Sequence, residues 1–220
     1  MSHKVITASG SLVGAVAKSR RLDHLAIGYL VALAVYDILA DVFAPYLPPE
    51  ALVYLFIIIE AAFLMGLRWI QPRFSRRGLY DGLFWFVLWF VALMYISALI
   101  PSGDVVSDIK SLYYEGLLPL MIVAYLLIEP VVSELYFRAV IFQRLVGRSR
   151  PAAYLASSLL WSFLLTAPED LGGLATALVM SLLGIILAYA YERGGFTSSL
   201  IIHAIFSALY TVNLVIIALG

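Results

Sequence analysis

A long apolar run, LYYEGLLPLMIVAYLLIEPVVSELYFRAVIFQRL, extends from Leu112 to Leu145. Its second half carries Glu129, Glu134 and Arg138, so two carboxylates and a guanidinium stand among apolar neighbours. In a membrane interior such residues are costly, are usually paired, and often mark a functional site. Each of the three therefore needs a partner or a function.

The same run is too long for one simple membrane-crossing helix, which needs about 20 residues. Pro119 and Pro130 each lack a backbone donor and clash with the preceding helical turn. We therefore expect a helix as far as about Ile128, a break at Pro130, and a second helix that carries Ser133 to Leu145.

The composition of the whole chain is that of a membrane protein. Of its 220 residues 63% are hydrophobic, and the mean hydropathy is +0.99, whereas a soluble domain is about 45–50% apolar. Apolar runs recur from Leu25 to Leu219, which predicts an all-α, polytopic transmembrane helical bundle. The formal net charge of +0 favours no nucleic-acid partner, and the lack of cysteine excludes disulfides and thiolate metal sites.

Basic residues alternate with acidic ones along the chain. They cluster at Lys18–Arg21, Arg68–Arg77 and Arg144–Arg150 and recur at Arg193. By the positive-inside rule this pattern places the N-terminus in the cytoplasm and the C-terminus outside. Residues 1–22 are then a cytoplasmic tail, and residues 23–220 form a single transmembrane domain. Seven crossings satisfy the alternation: His24–Ala44, Ala51–Ile70, Leu79–Ile100, Leu112–Leu145, Pro151–Thr166, Leu171–Tyr191 and Phe196–Leu219.

The ionisable residues around Pro130 are spaced for contact. Glu134 and Arg138 are four residues apart, on one helical face, and predict an ion pair that is either a packing contact or part of a site. Glu129 stands directly before a proline, where it could cap a helix N-terminus. It is also one turn from Ser133 and could reach the same volume.

His203 is the one histidine in the interior of a predicted crossing, since His24 lies at a membrane edge and His3 in the tail. It is ten residues from Arg193, as Glu134 is ten residues from Arg144. Both side chains should therefore lie about 15 Å below the same membrane surface. We expect Glu134, Arg138 and His203 to converge at a polar cavity that opens toward the cytoplasm, unless His203 is simply a satisfied core residue.

Three further acidic residues fall within the first two predicted crossings. Asp37 and Asp41 are one turn apart in the first, and Glu60 lies in the second. Polar contacts between helices explain them. A proton or cation pathway is the alternative, and with Glu134 it would make the chain a transporter.

Three motifs resemble those of one family. PVVSELYFR, at Pro130–Arg138, resembles Pro-x-x-Glu-Glu-x-x-Phe-Arg-Gly, the first motif of the CAAX-protease and bacteriocin-processing (CPBP, or Abi) family of intramembrane metalloproteases. ASSLLWSFLL, at Ala156–Leu165, is similar to the second motif, Phe-x-x-x-His, and its lead-in. The run from Tyr191 to His203 is similar to the approach to the third motif, His-x-x-x-Asn/Asp. The resemblance covers about residues 120–214.

The resemblance implies hydrolase chemistry, but three motif positions depart from it. In the family the first glutamate and the second-motif histidine activate water, and the third-motif histidine and asparagine complete the polar cluster. Here Ser133 stands at the position of the first glutamate, and Leu165 stands at that of the second-motif histidine. Ser207 stands at the position of the asparagine. The matched residues that remain are Glu134, Arg138 and His203.

The resemblance also implies roles for the remaining residues. Glu134 would be the base or a ligand, Arg138 would orient it, and His203 would be a ligand or a hydrogen-bond donor, with Glu129 as a substitute catalytic residue. A zinc ion would be held by Glu134 and His203. Because catalytic zinc typically takes three protein ligands and the matched positions supply at most two, we expect no cofactor, with bound zinc as the alternative.

Three functions follow from these observations. The first is a catalytically degenerate homologue, a pseudoenzyme that binds a membrane-embedded or lipidated peptide or protein in the lipid bilayer. The second is an active intramembrane endopeptidase with a rearranged site of Glu129, Glu134 and His203. The third is the proton- or ion-coupled transporter. The substitutions at Ser133, Leu165 and Ser207 favour the first.

Overall fold

The computed structural model describes residues 24, 27–36, 38–39, 42–43, 46, 49–66, 73–97, 116, 118–166 and 171–219. These residues form seven helices and no strand, which confirms the predicted all-α class. The helices are α1 (Ile27–Tyr36), α2 (Pro49–Gly66), α3 (Arg76–Ser97), α4 (118–146), α5 (Arg150–Thr166), α6 (Leu171–Gly194) and α7 (Phe196–Leu219).

The chain divides into two compact units, Met1–Trp69 and Ile70–Gly220. In the first unit the Tyr29 hydroxyl donates a hydrogen bond of 2.7 Å to Glu60, whose side chain is buried. The Tyr29 ring stacks on Phe63 with a centroid distance of 4.1 Å. Asp37 and Asp41 lie outside the described residues, so an ion pathway through this unit stays a prediction, as does a single domain over residues 23–220.

Helix α6 is the centre of the second unit and packs against α3, α5 and α7. Its apolar residues surround the helix, as expected of a helix with neighbours on several sides. Small residues let the backbones approach closely. A Cβ atom at Gly184 would lie 2.8 Å from Ser158 of α5, and one at Gly82 of α3 would lie 2.7 Å from Ala190. Such small-residue contacts are typical of helix packing in membranes.

Three of the described helices are long and apolar enough to cross a membrane: Arg76–Tyr95, Leu171–Gly194 and Phe196–Asn213. Two shorter apolar helices are Ile27–Tyr36 and Tyr54–Leu64. The chain is therefore an integral membrane protein built as a helical bundle. The number of seven crossings and the orientation of the termini stay predictions.

The helix α4 differs in detail from the predicted fourth crossing. The α-helical pattern is interrupted near Pro130, but the chain stays helical from residue 118 to 146. The segments Ala124–Ile128 and Glu134–Phe142 are π-helical, with a short α-helical turn, Glu129–Ser133, between them. Pro130 lies in the first turn of that short segment, directly after the first π-helical segment. The wider π turns thus replace the predicted break.

The turn between α6 and α7 is fixed against the start of α3. Gly195 has a φ of +82, a left-handed conformation that glycine adopts at no steric cost. A Cβ atom there would lie 2.6 Å from the Arg73 carbonyl oxygen. The same carbonyl accepts a hydrogen bond of 3.1 Å from the Thr197 amide. The turn therefore sets the position of α7, which carries His203.

Candidate functional site

The structure brings Glu129, Glu134 and His203 into direct contact. The Nδ1 atom of His203 lies 3.0 Å from Oε1 of Glu134, and its Nε2 atom lies 3.3 Å from Oε2 of Glu129. One imidazole therefore bridges two carboxylates. Helix α4 supplies both glutamates, five residues apart along the chain, and α7 supplies the histidine between them.

The second oxygen of Glu134 is also engaged. It contacts the Ser199 hydroxyl closely and lies 3.7 Å from Nε of Arg138. Ser199 Oγ is in addition 3.1 Å from the Leu187 carbonyl oxygen of α6. A hydroxyl has one proton to donate, so Ser199 donates either to Leu187 or to Glu134, and links the ionic residues to the central helix.

Arg138 is fully buried and is held from three sides. Its Nη1 atom donates a hydrogen bond of 3.3 Å to the Ser157 carbonyl oxygen of α5, and its guanidinium lies 5.6 Å from the centre of the Trp161 ring. The Trp161 ring also meets the His203 ring edge to face, with centroids 5.3 Å apart. Among the described residues, Arg138 Nη2 and Trp161 Nε1 have no hydrogen-bond partner, and Arg138 Nε has only the ion-pair contact with Glu134.

Glu129 does not cap a helix. The N-cap position of its segment is Ile128, which makes no side-chain cap bond. The Glu129 carboxylate instead accepts a hydrogen bond of 2.5 Å from the Ser133 hydroxyl and reaches His203. The capping interpretation is therefore wrong, because the helix continues through this position and the carboxylate points toward His203.

The π-helical segment of α4 coincides with the site. It begins at Glu134 and includes Arg138. A π turn inserts an extra residue into the helical repeat and is frequent at functional sites. The side chains from Glu134 to Arg138 are all buried, so this part of α4 presents a continuous buried surface to α5 and α7.

The charges of the cluster balance. Two carboxylates face one guanidinium and one imidazole, so the group is neutral when His203 carries protons on both nitrogens. In that state each ring nitrogen donates to the carboxylate that it contacts. Buried charges are tolerated when they are paired in this way. We name these four residues, Glu129, Glu134, Arg138 and His203, the ionic cluster.

Access to the ionic cluster is limited. The side chains of Glu134 and Arg138 have 0% of their surface exposed, that of His203 1%, and that of Glu129 14%. Three of the predicted site residues are therefore enclosed within the bundle rather than set on the wall of an open cavity. Only Glu129 reaches toward the protein surface.

The three substituted motif positions have different surroundings. Ser133 donates its hydroxyl proton to Glu129, so it belongs to the edge of the cluster. Ser207 is buried on α7, one turn beyond His203. Leu165 is 39% exposed near the end of α5. A leucine there offers neither a ligand nor a proton acceptor.

The donor set does not fit a zinc site of the usual composition. His203 already uses Nδ1 on Glu134, so only Nε2 could face a metal, with the Glu129 carboxylate beside it. A carboxylate behind the ligating histidine is a common supporting arrangement. Zinc catalysis nevertheless takes three protein ligands, and among the described residues no group of three histidine or acidic side chains is arranged to hold a metal ion.

Two residues of the site, Ser199 and Trp161, are not among those predicted from the sequence. Ser199 is one helical turn before His203, a spacing that could have indicated a shared face. Trp161 occupies the phenylalanine position of the second motif, which could have indicated a buried ring near the site. Neither signal stands out, because serine and aromatic residues are common in membrane helices.

Residues 115–209 match the family model for the type II CAAX prenyl endopeptidase, Rce1-like. This region, somewhat less than half of the chain, is similar to that family. The match includes all four residues of the ionic cluster and confirms the CPBP-type resemblance of the motifs. No curated protein and no solved structure matches the chain significantly. The chain is thus an integral membrane protein in which residues 115–209 are similar to the CPBP type.

Proposed function

We propose that this protein is a non-proteolytic member of the Rce1-like family that binds a membrane-embedded or lipidated peptide. The observation that carries the proposal is the mutual pairing within the ionic cluster. Both nitrogens of His203 and both oxygens of Glu134 contact other groups of the protein. A general base needs an oxygen or nitrogen within hydrogen-bond reach of the proton that it abstracts, and these two residues leave no such atom uncommitted.

The substituted motif positions support the same conclusion. Ser133 stands where the family has its first glutamate, and a serine hydroxyl does not act as a general base near neutral pH. Leu165 stands where the family has a histidine. Water activation by the family's pair is therefore lost at both positions, whereas the bundle that surrounds the site is kept. A protein with this pattern retains the means to bind the family's ligand without cleaving it.

The nature of the ligand follows from the family description, a prenyl endopeptidase that acts at CAAX sequences. A prenylated peptide carries an apolar chain and a peptide segment, both of which suit a site within a membrane bundle. Because the rest of the ionic cluster is enclosed, the peptide segment would meet the cluster at its most exposed member, Glu129.

A cleavage and crosslinking assay tests the proposal. The protein is placed in lipid nanodiscs with a prenylated CAAX peptide that carries a photoreactive group. We expect crosslinking without cleavage by the native chain, and cleavage by the double variant Ser133→Glu, Leu165→His, which restores both missing groups. Cleavage by the native chain that is lost in Glu129→Gln would overturn the proposal, and an absence of specific crosslinking would remove the binding role.

A rearranged protease is the second candidate, and one contact favours it. Glu129 lies one turn before the family's first-glutamate position, hydrogen-bonds Ser133, and reaches Nε2 of His203. It is also the most exposed member of the ionic cluster. In this alternative Glu129 would take the proton of an attacking water, and His203 would hold the carboxylate in place. The Glu129→Gln arm of the cleavage assay distinguishes the two candidates.

The zinc content of the purified protein gives a separate prediction. We expect the purified protein to hold far less than one zinc per chain, because His203 Nε2 and Glu129 make only two of the three protein ligands that zinc catalysis uses. Elemental mass spectrometry of the native protein, with Glu134→Ala and His203→Ala as controls, measures it. One zinc per chain that both variants lose would contradict the prediction and revive a metalloprotease.

A further inference from the structure

A groove of about 360 Å³ runs between α3, α5 and α6, within the size range of ligand sites, roughly 300–1,000 Å³. Its lining is aliphatic and aromatic: Trp85, Tyr154, Ile185, Ile186 and Tyr189.

The surface around the groove is apolar. Large apolar side chains next to its lining are exposed, among them Phe84 at 60%, Leu155 at 53% and Leu182 at 53%. In a membrane protein such surfaces contact lipid chains. The hydroxyl of Tyr154 is already bonded to Glu192 at 2.5 Å. The lining therefore suits an acyl chain better than a peptide, whose backbone needs hydrogen-bond partners.

One end of the groove lies at the basic end of the unit Ile70–Gly220. Tyr154 is one turn from Arg150, and Tyr189 is one turn from Arg193. The Arg193 guanidinium lies 5.6 Å from the centre of the Tyr189 ring, which lines the groove. Arg150 forms an ion pair of 2.8 Å with Glu192 beside it.

The charge at this end is strongly positive. The contacts of Arg150 with Glu192, of Gln143 with Tyr191 and of Thr197 with Arg73 bring the ends of α4 and α6 and the starts of α3, α5 and α7 together. Against the carboxylates of Glu192 and Asp81, the described residues there carry seven arginines. They are Arg73, Arg76, Arg77, Arg144, Arg148, Arg150 and Arg193.

We propose that the groove binds one membrane phospholipid with an anionic headgroup. An acyl chain would lie along the apolar lining, and the phosphate would meet the Arg193 guanidinium at the mouth. Charge complementarity selects an anionic lipid, since basic clusters at a membrane surface attract such lipids by about 1 kcal/mol for each arginine. The aromatic rings at the mouth suit the interfacial depth of the headgroup. This site is separate from the ionic cluster and does not depend on the function proposed for it.

Native mass spectrometry of the delipidated protein tests the site. Phosphatidylglycerol and phosphatidylcholine are titrated in separate experiments. We expect the native protein to bind phosphatidylglycerol more tightly than phosphatidylcholine. The Arg193→Gln variant should bind phosphatidylglycerol about fivefold more weakly than the native protein, a change that corresponds to about 1 kcal/mol. Arg148→Gln, at an exposed arginine of the same end on the turn between α4 and α5, is the matched control and should change little.

A second variant probes the apolar part of the groove. Ile185→Trp fills the space at a partly exposed position and should weaken both lipids. Equal binding of the two lipids by the native protein would overturn the choice of an anionic headgroup. Equal losses in Arg193→Gln and Arg148→Gln would show a diffuse charge effect and overturn the site, as would unchanged lipid binding in Ile185→Trp.

Discussion

Replacement of Gly78 by alanine is expected to lower the free energy of unfolding by about 3 kcal/mol, the upper end of the range for overpacking in a tightly packed region. A Cβ atom at Gly78 would lie 2.3 Å from both the Cα and the N atom of Gly194. The obstacle is backbone, which cannot rotate away as a flexible side chain can. Helix α3 would have to move away from the end of α6, and the turn that positions α7 would move with it.

Gly147 provides the matched control for this change. It lies at the end of α4 with φ −69 and ψ −18, which alanine adopts without strain, and a Cβ atom there would meet no heavy atom within 4 Å. Thermal and denaturant unfolding in detergent should show Gly147→Ala close to the native protein and Gly78→Ala far below it. Equal stabilities of the two variants would show that α3 and α6 do not pack as closely as described.

The fold class follows directly from the sequence, because apolar composition and helix length are set by the bilayer. The predicted crossings Leu171–Tyr191 and Phe196–Leu219 agree with α6 and α7 to within a few residues, since Gly194 and Gly195 mark the turn between them. The π-helical turns of α4 were not predictable in this way. Hydrophobic periodicity indicates which side chains face the core. It does not indicate which backbone carbonyl oxygen accepts the hydrogen bond of each amide, and this pairing distinguishes a π-helix from an α-helix.

The site was predictable in part. The equal depths of Glu134 and His203 indicated that they could meet, because depth depends only on the distance along each helix from a charged end. The bridging of Glu129 and Glu134 by one imidazole depends on how α4 and α7 rotate against each other, which no local pattern encodes. The second contact of Ser199, with the Leu187 carbonyl, likewise comes from tertiary packing.

The ionic cluster also explains how the substitutions in the family motifs are tolerated. The loss of the motif's first glutamate at Ser133 removes a negative charge, and Glu129 places one a turn away. With it, two carboxylates face two basic groups, so the buried cluster keeps its charge balance. In this view Glu129 stabilises the buried network, whether or not it also takes part in chemistry.

Replacement of Arg138 by methionine tests this charge balance and should have the largest effect on stability. Removal of one partner from a buried ion pair typically costs about 3–5 kcal/mol, since the other charge is left uncompensated. Here the charge left behind is the carboxylate of Glu134, which is fully buried. Unfolding in detergent should show a loss of this size for Arg138→Met, whereas Arg150→Ala, which breaks an exposed ion pair, should change stability little.

The double variant Arg138→Met, Glu134→Gln separates charge from packing. Glutamine keeps the shape of glutamate and can still hydrogen-bond His203 and Ser199, but it carries no charge that needs the guanidinium. If charge balance holds the cluster together, the double variant should be more stable than Arg138→Met alone, although it carries one more substitution. A double variant that is less stable than the single one would show that Arg138 acts through its contacts with Ser157 and Trp161 rather than through its charge.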